Sequence, residues 1–277
     1  LVETRIPRTL ALLLCGASLA VAGVIMQILA RNRFVEPSTA GTIEAAGLGM
    51  LVMLLLFPGA PVVVKSLVAA LFALAGTGLF LRLLRHVPPH SPLLVPLTGI
   101  MLGAVLGSTT AWLAYRFDMM QALGAWRNGD FSLVIAGRYE LLWGAGVLGG
   151  LAYFAADRFT IAGLGEDMSR NLGLDHKSTV ALGLTIVALV SALVVSTVGS
   201  IPFLGLVVPN LVARVLGDNL RQTLPVIAMT GAGLVLACDI VGRIVVAPYE
   251  IPVGTVFGVV GSGLFLFLLL RWTSDAA

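Results

Sequence analysis

The 277-residue chain is 58% hydrophobic and only 11% charged, with a mean hydropathy of +1.01, whereas a soluble domain carries about a quarter charged residues. That composition argues against a water-soluble domain and makes lipid the natural solvent. The net charge of +3 comes from basic residues in short loops without interleaved aromatics, which argues against nucleic-acid binding and reads as membrane topology.

A spanning helix needs about 20 apolar residues. Taken in order, residues 9–30 form an uncharged run and 40–57 a second, interrupted by Glu44. Glu44 lies just past Pro37 and is read as hydrated near the membrane surface. Residues 62–81, with Lys65 near the start, and the uncharged 93–115 follow. Residues 141–156 are shorter and are expected to begin near Gly137. The uncharged stretch 179–213 is too long for one crossing. It contains Gly199-Ser200-Ile201-Pro202, in which proline lacks an amide donor and glycine relaxes the backbone. The pattern predicts a helix to about Val198, a break, and a short helix from about Phe203 to Leu216. Residues 223–246 and 253–270 complete nine segments of an all-α, polytopic membrane bundle, read as one domain over 1–277. Small residues four apart, Gly99, Gly103 and Gly107, and again Gly146 and Gly150, predict close helix contacts.

Loop arginines and lysines orient the bundle. Arg31, Arg33, Arg82, Arg85, Arg158, Arg170, Lys177, Arg214, Arg221 and Arg271 fall on one side; Arg5, Arg8, Lys65, Arg116, Arg127, Arg138 and Arg243 fall on the other. The richer side is assigned to the cytoplasm. Leu1 then lies outside, and one helix before it would return the N-terminus to the cytoplasm and make ten.

The chemistry of an energised pump is missing from the sequence. Lys65 and Lys177 follow Val64 and His176, so no Gly-Lys-Ser/Thr phosphate loop exists. His86 and His90 are separated by Pro88 and Pro89, and His176 is remote, so no metal-ligand set is legible. Cys15 and Cys238 sit inside apolar runs and read as small buried hydrophobes. No catalytic residue emerges. Gln27, Glu44 and Asp239 are the intramembrane polar candidates, and Asp239 with Arg243, four apart, predicts a local ion pair. In the longest cytoplasmic loop, residues 161–174 read as one short amphipathic helix. Leu164, Met168 and Leu172 share a face, and Gly173 caps it. Such a stripe outside the bilayer needs a partner groove or the membrane surface.

Several ordered blocks resemble the FecCD-type permeases of bacterial importers for iron-siderophores, haem and cobalamin. Arg5-Ile6-Pro7-Arg8-Thr9-Leu10 is similar to that family's Arg-Leu-Pro-Arg opening. Gly23, Gln27, Arg31-Asn32-Arg33 and Glu36-Pro37 match its Gly…Gln…Asn-Pro-Leu-Ala-x-Pro stretch, with Arg33 in place of proline. Residues 199–213 resemble its Gly-x-Ile-x-Phe-x-Gly-Leu-x-x-Pro-His segment, with Asn210 in place of histidine. Asp239–Arg243 and Glu250-Ile251-Pro252-Val253-Gly254 complete the set. The resemblance covers essentially the whole chain.

It implies a ten-helix permease of the bacterial cytoplasmic (inner) membrane, without a cofactor, paired with a second permease subunit as a homodimer or heterodimer. Two ATP-binding cassette ATPase subunits and an external substrate-binding protein complete the importer. Arg5, Arg8 and Arg243 fall where the family's arginines meet glutamates of the binding protein. Residues 161–174, with Leu164, Gly165, Met168, Leu172 and Gly173, fall on the segment that couples to the ATPase. Gln27, on the first predicted helix, is assigned to the translocation path. Residues 33–42 and 126–131 look most like the ferric-siderophore branch, with catecholates as the expected class, in which the chelator keeps the iron wrapped. Cobalamin or haem is the alternative cargo. An ion-coupled secondary transporter, needing no ATPase, is the alternative mechanism.

Overall fold

The computed structural model describes residues 3–84, 86, 94–132, 134–137 and 139–275. Arg85, His90, Arg138 and Leu1, and the Arg271 side chain, lie outside what is described. Twelve helices follow in order: α1 Arg5–Leu29, α2 Thr42–Leu56, α3 Val62–Leu84, α4 Leu94–Arg116, α5 Met120–Arg127, α6 Leu141–Phe154, α7 Ala156–Gly163, α8 Glu166–Asn171, α9 His176–Thr197, α10 Leu204–Leu216, α11 Leu220–Ile244 and α12 Val253–Asp275. Nine are apolar and coincide with the nine expected segments. Five of these, α1, α3, α4, α9 and α11, are long and apolar enough to cross a membrane; α2, α6, α10 and α12 are shorter apolar helices by the described residues.

Helix α1 is the axis of the bundle, packed against α6, α9, α10 and α11. Small residues allow this. A Cβ on Gly16 would lie 2.5 Å from the carbonyl oxygen of Gly231 on α11, and one on Gly23 would lie 2.2 Å from that of Gly205 on α10. Both contacts are reciprocal, so backbone meets backbone at two levels of α1. Without a hydrophobic force between helices in lipid, such close van der Waals packing supplies much of the cohesion. The α4 stripe behaves similarly. Gly99 approaches the carbonyl of Thr39, where a Cβ would come within 2.1 Å, and Gly103 and Gly107 face Glu44. On α6, Gly146 packs against Leu14, whereas Gly150 faces open space and makes no such contact.

The long apolar stretch breaks where glycine and proline predict. Helix α9 ends at Thr197, Gly199 adopts φ +89°, and α10 starts at Leu204 after Phe203 at φ +64°. Irregular backbone at membrane depth needs partners inside the protein. Ser200 N donates to the Trp126 carbonyl at 2.9 Å, Asp130 N to that of Val198 at 2.8 Å, and Gly254 N to that of Gly129 at 3.2 Å. The break, the end of α5 and the start of α12 are therefore tied into one knot.

Two expectations are corrected. Residues 161–174 are not one helix, because the chain turns at Gly165 (φ +113°) and divides into α7 and α8. Glycine permits that backbone conformation, and Glu166 and Asp167 then occupy the first turn of α8, where acidic side chains suit the helix dipole. Glu44 is not a hydrated surface group. It lies half-buried in the first turn of α2, and its Oε2 is enclosed without a hydrogen-bond partner. It lines a cavity of about 120 Å³ together with Thr110, Arg127 and Ser200.

Candidate functional site

The polar residues gather at the two ends of the bundle and around the broken helix. At the end where α1 begins, Arg8 reaches Asp239 near the end of α11. Arg8 Nη2 lies 2.6 Å and Nε 3.3 Å from Asp239 Oδ1, while Nη1 lies 2.7 Å from Glu250 Oε2. Arg243 binds the other Asp239 oxygen at 2.8 Å, giving the expected i,i+4 pair. Asp239 is only 4% exposed in its side chain and Arg8 13%, against 41% for Arg243. The carboxylate at the centre is thus satisfied on both oxygens, as a nearly buried charge requires. Arg5, one turn before Arg8, is exposed and makes no ion pair among the described residues. The three arginines grouped by sequence are therefore not equivalent. Arg8 holds α1 to α11, while Arg5 and Arg243 present charge outward.

The broken helix has its own polar support. Pro209 lies inside α10 and offers no N–H, so the carbonyl four residues earlier, on Gly205, loses its helical donor. Gln27 replaces it, with Nε2 3.1 Å from Gly205 O. Asn210 Nδ2 donates to the carbonyls of Arg33 at 2.8 Å and Leu206 at 2.7 Å. At the start of α10 sits Glu36, which is 2% exposed. Its Oε1 accepts the Phe203 N–H at 2.9 Å and the Ser38 hydroxyl, and the Gly205 and Leu206 amides also face the carboxylate. A half-helix starting inside the protein presents unsatisfied N–H groups and a partial positive charge, and a fixed carboxylate answers both. Sequence reasoning gave Glu36 no role. The available signal was an acid in a proline-flanked loop together with a helix that must restart after Pro202.

At the opposite end, α7 and α8 form an exposed elbow. Leu164, Met168 and Leu172 are all exposed. Gly173 N donates to the Arg170 carbonyl and Leu174 N to that of Ser169, both at 2.9 Å, with Gly173 at φ +77°. This is the glycine-terminated helix ending expected from the sequence. Ser169 is buried and its hydroxyl bonds the Ile161 carbonyl at 3.0 Å, fixing α8 to α7. Around the same end, Arg33 pairs with Asp218 at 2.7 Å and Arg221 with Asp157. A cavity of about 380 Å³ opens between α1, α7, α10 and α11, with Gln27 in its lining.

The described helices thus carry a braced broken helix, an ionic cluster at one end and an apolar elbow at the other. The profile of the FecCD transport family matches residues 1–271. The chain belongs to the FecCD transport family. It is a multi-pass permease of the bacterial cytoplasmic membrane. Over 271 residues this FecCD chain is 48% identical to the petrobactin import system permease protein YclN of Bacillus subtilis (strain 168), covering 98% of this chain and 86% of that one. It is 42% identical to the ferric-anguibactin transport system permease protein FatD of Vibrio anguillarum, with the same two coverages. Among solved structures, an inward-facing metal-chelate type ABC transporter superposes with a TM-score of 0.82, covering 97% of this chain and 86% of that one. At 24% identity that likeness speaks to the fold alone.

Proposed function

We propose that this FecCD permease carries a ferric siderophore across the cytoplasmic membrane as one subunit of an ATP-driven importer. The observation that carries the reading is near-full-length similarity to permeases named for petrobactin import and ferric-anguibactin transport. The sequence itself holds neither a phosphate loop nor a legible metal-ligand set. The chain therefore supplies the passage, a separate ATPase supplies the energy, and the chelator holds the iron.

The two ends of the bundle take complementary roles. The end bearing Arg5 and Arg243 faces outward and meets acidic groups of a substrate-binding protein, where complementary charge steers encounter and sets register. The α7–α8 elbow faces the cytoplasm, and its exposed Leu164, Met168 and Leu172 seat in a groove of the ATPase. Gly165 and Gly173 give the elbow its shape. Gln27 belongs to the passage scaffold by holding α10, the short arm of the broken helix, against α1.

Growth of a strain lacking this gene on single ferric chelates as the sole iron source tests the cargo. Loss of growth on a siderophore such as petrobactin, restored by the gene, is the expected result. Unimpaired growth on every ferric siderophore, with loss of cobalamin or haem use, would reassign the cargo. The elbow is tested by Gly173→Arg, which forces a side chain into the left-handed backbone and into the ATPase groove. Uptake is expected to fail while membrane insertion survives. Gly173→Asn, which tolerates that backbone, retains more activity.

A further inference from the structure

The cavity of about 380 Å³ at the elbow end carries polar groups that the bracing of the broken helix leaves unused. Deep in it, Gln27 and Asn210 are 7% and 3% exposed. Their amide N–H groups are engaged by the carbonyls of α10 and Arg33. Their side-chain carbonyl oxygens accept no hydrogen bond from the described residues, so the wall offers two acceptors in search of donors. Near the mouth the charge is opposite. Arg33 is committed to Asp218, but the Arg31 guanidinium makes no ion pair or hydrogen bond among the described residues, only the backbone N–H donating, to the Ile28 carbonyl.

Arg31 is also held in an unusual way. It adopts φ +48°, a left-handed conformation uncommon for a residue with a side chain. Its guanidinium lies where Gly165 leaves room, since a Cβ there would come within 2.8 Å of Arg31 Nη2. A cation without a counter-ion is thus positioned at the rim of a polar cavity by the same glycine that shapes the elbow. An arginine fork favours a phosphate or carboxylate oxygen pair, and the two inner carbonyls require N–H or O–H donors.

We propose that this cavity binds a phosphate group carrying an adjacent hydroxyl or ammonium donor, with Arg31 on the phosphate and the Gln27 and Asn210 carbonyl oxygens on the donor. The ligand is additional to the transported cargo. Two sources offer that chemistry, the headgroup of a membrane phospholipid and free inorganic phosphate.

The full-length permease in nanodiscs separates them. Native mass spectrometry reads retention of phosphatidylglycerol from mixed discs, and 31P NMR titration reads binding of inorganic phosphate in phosphatidylcholine discs. At least one probe is expected to bind, with an affinity loss of about tenfold or more in Arg31→Gln. The same loss is expected in Thr160→Glu, which adds a like charge on an exposed cavity residue and so keeps the test informative should Arg31→Gln misfold. Arg221→Gln, outside the cavity lining, is expected to bind as the parent does. Retention of the lipid assigns the headgroup, and binding of phosphate alone assigns the free anion. Binding of neither probe, or binding unchanged in both cavity variants, overturns the proposal. These readouts are independent of cargo and of ATP, so they stand or fall separately from the import reading.

Discussion

Gln27 illustrates how a single side chain can be explained by a defect elsewhere. Pro209 leaves the Gly205 carbonyl without its helical donor, and the Gln27 amide fills the gap from another helix. Gln27→Leu keeps the volume but leaves a buried acceptor unsatisfied, at a cost of about 1–3 kcal/mol. Thermal unfolding of the purified variant should show a lower midpoint; an unchanged midpoint would remove this role. The arginines of the opposite end divide similarly. Arg8→Ala strips the nearly buried Asp239 of one of its two partners but leaves Arg243, and is expected to destabilise by about 1.5–3 kcal/mol, as loss of a charge-assisted hydrogen bond does. Arg5→Ala should leave stability within about 0.5 kcal/mol. It should instead weaken docking of the binding protein in a salt-dependent way, measurable by titration at two ionic strengths. Glu44 carries the reverse expectation. Its enclosed oxygen has no hydrogen-bond partner, and among the described residues only Arg127, across the same cavity, offers an opposite charge, so Glu44→Gln removes a poorly solvated charge from a membrane helix and should raise the unfolding midpoint.

Among elements, the contact of α1 with α10 and α11 is the most exacting. Gly23→Ala would place a methyl 2.2 Å from a backbone oxygen that no rotamer change can move. The helices must separate, and overpacking of this kind costs about 1–3 kcal/mol, occasionally more. A Gly150→Ala control, facing open space, should be neutral in the same unfolding assay. The helices themselves were legible because apolar runs of membrane length leave few alternatives. The α9–α10 break was legible because Gly199 and Pro202 interrupt a run too long for one crossing. The partners of that break, and of the ionic cluster at the α1 end, were not. Glu36 meets Phe203 across 167 positions and Arg8 meets Asp239 across 231, and local periodicity carries no information at such separations. The elbow was misread for a different reason. Four-residue spacing of Leu164, Met168 and Leu172 argues for one helix, and the positive φ at Gly165 that divides it leaves no mark on that pattern.

For the whole molecule, much of the buried polar chemistry of the chain holds the fold together. Glu36, Gln27 and Asn210 brace a broken helix; Arg8, Asp239 and Glu250 close one end; Ser169 and Gly173 shape the other. In the proposed import reading, energy and cargo selection come from neighbouring chains. Proteoliposomes test that division of labour most directly. The full-length permease is reconstituted with or without its ATPase subunit, and entry of the ferric siderophore identified by the growth test is followed in the presence of the binding protein. Accumulation only when the ATPase and ATP are both present is the predicted result. Vigorous accumulation by the permease alone, driven by an ion gradient, would contradict it.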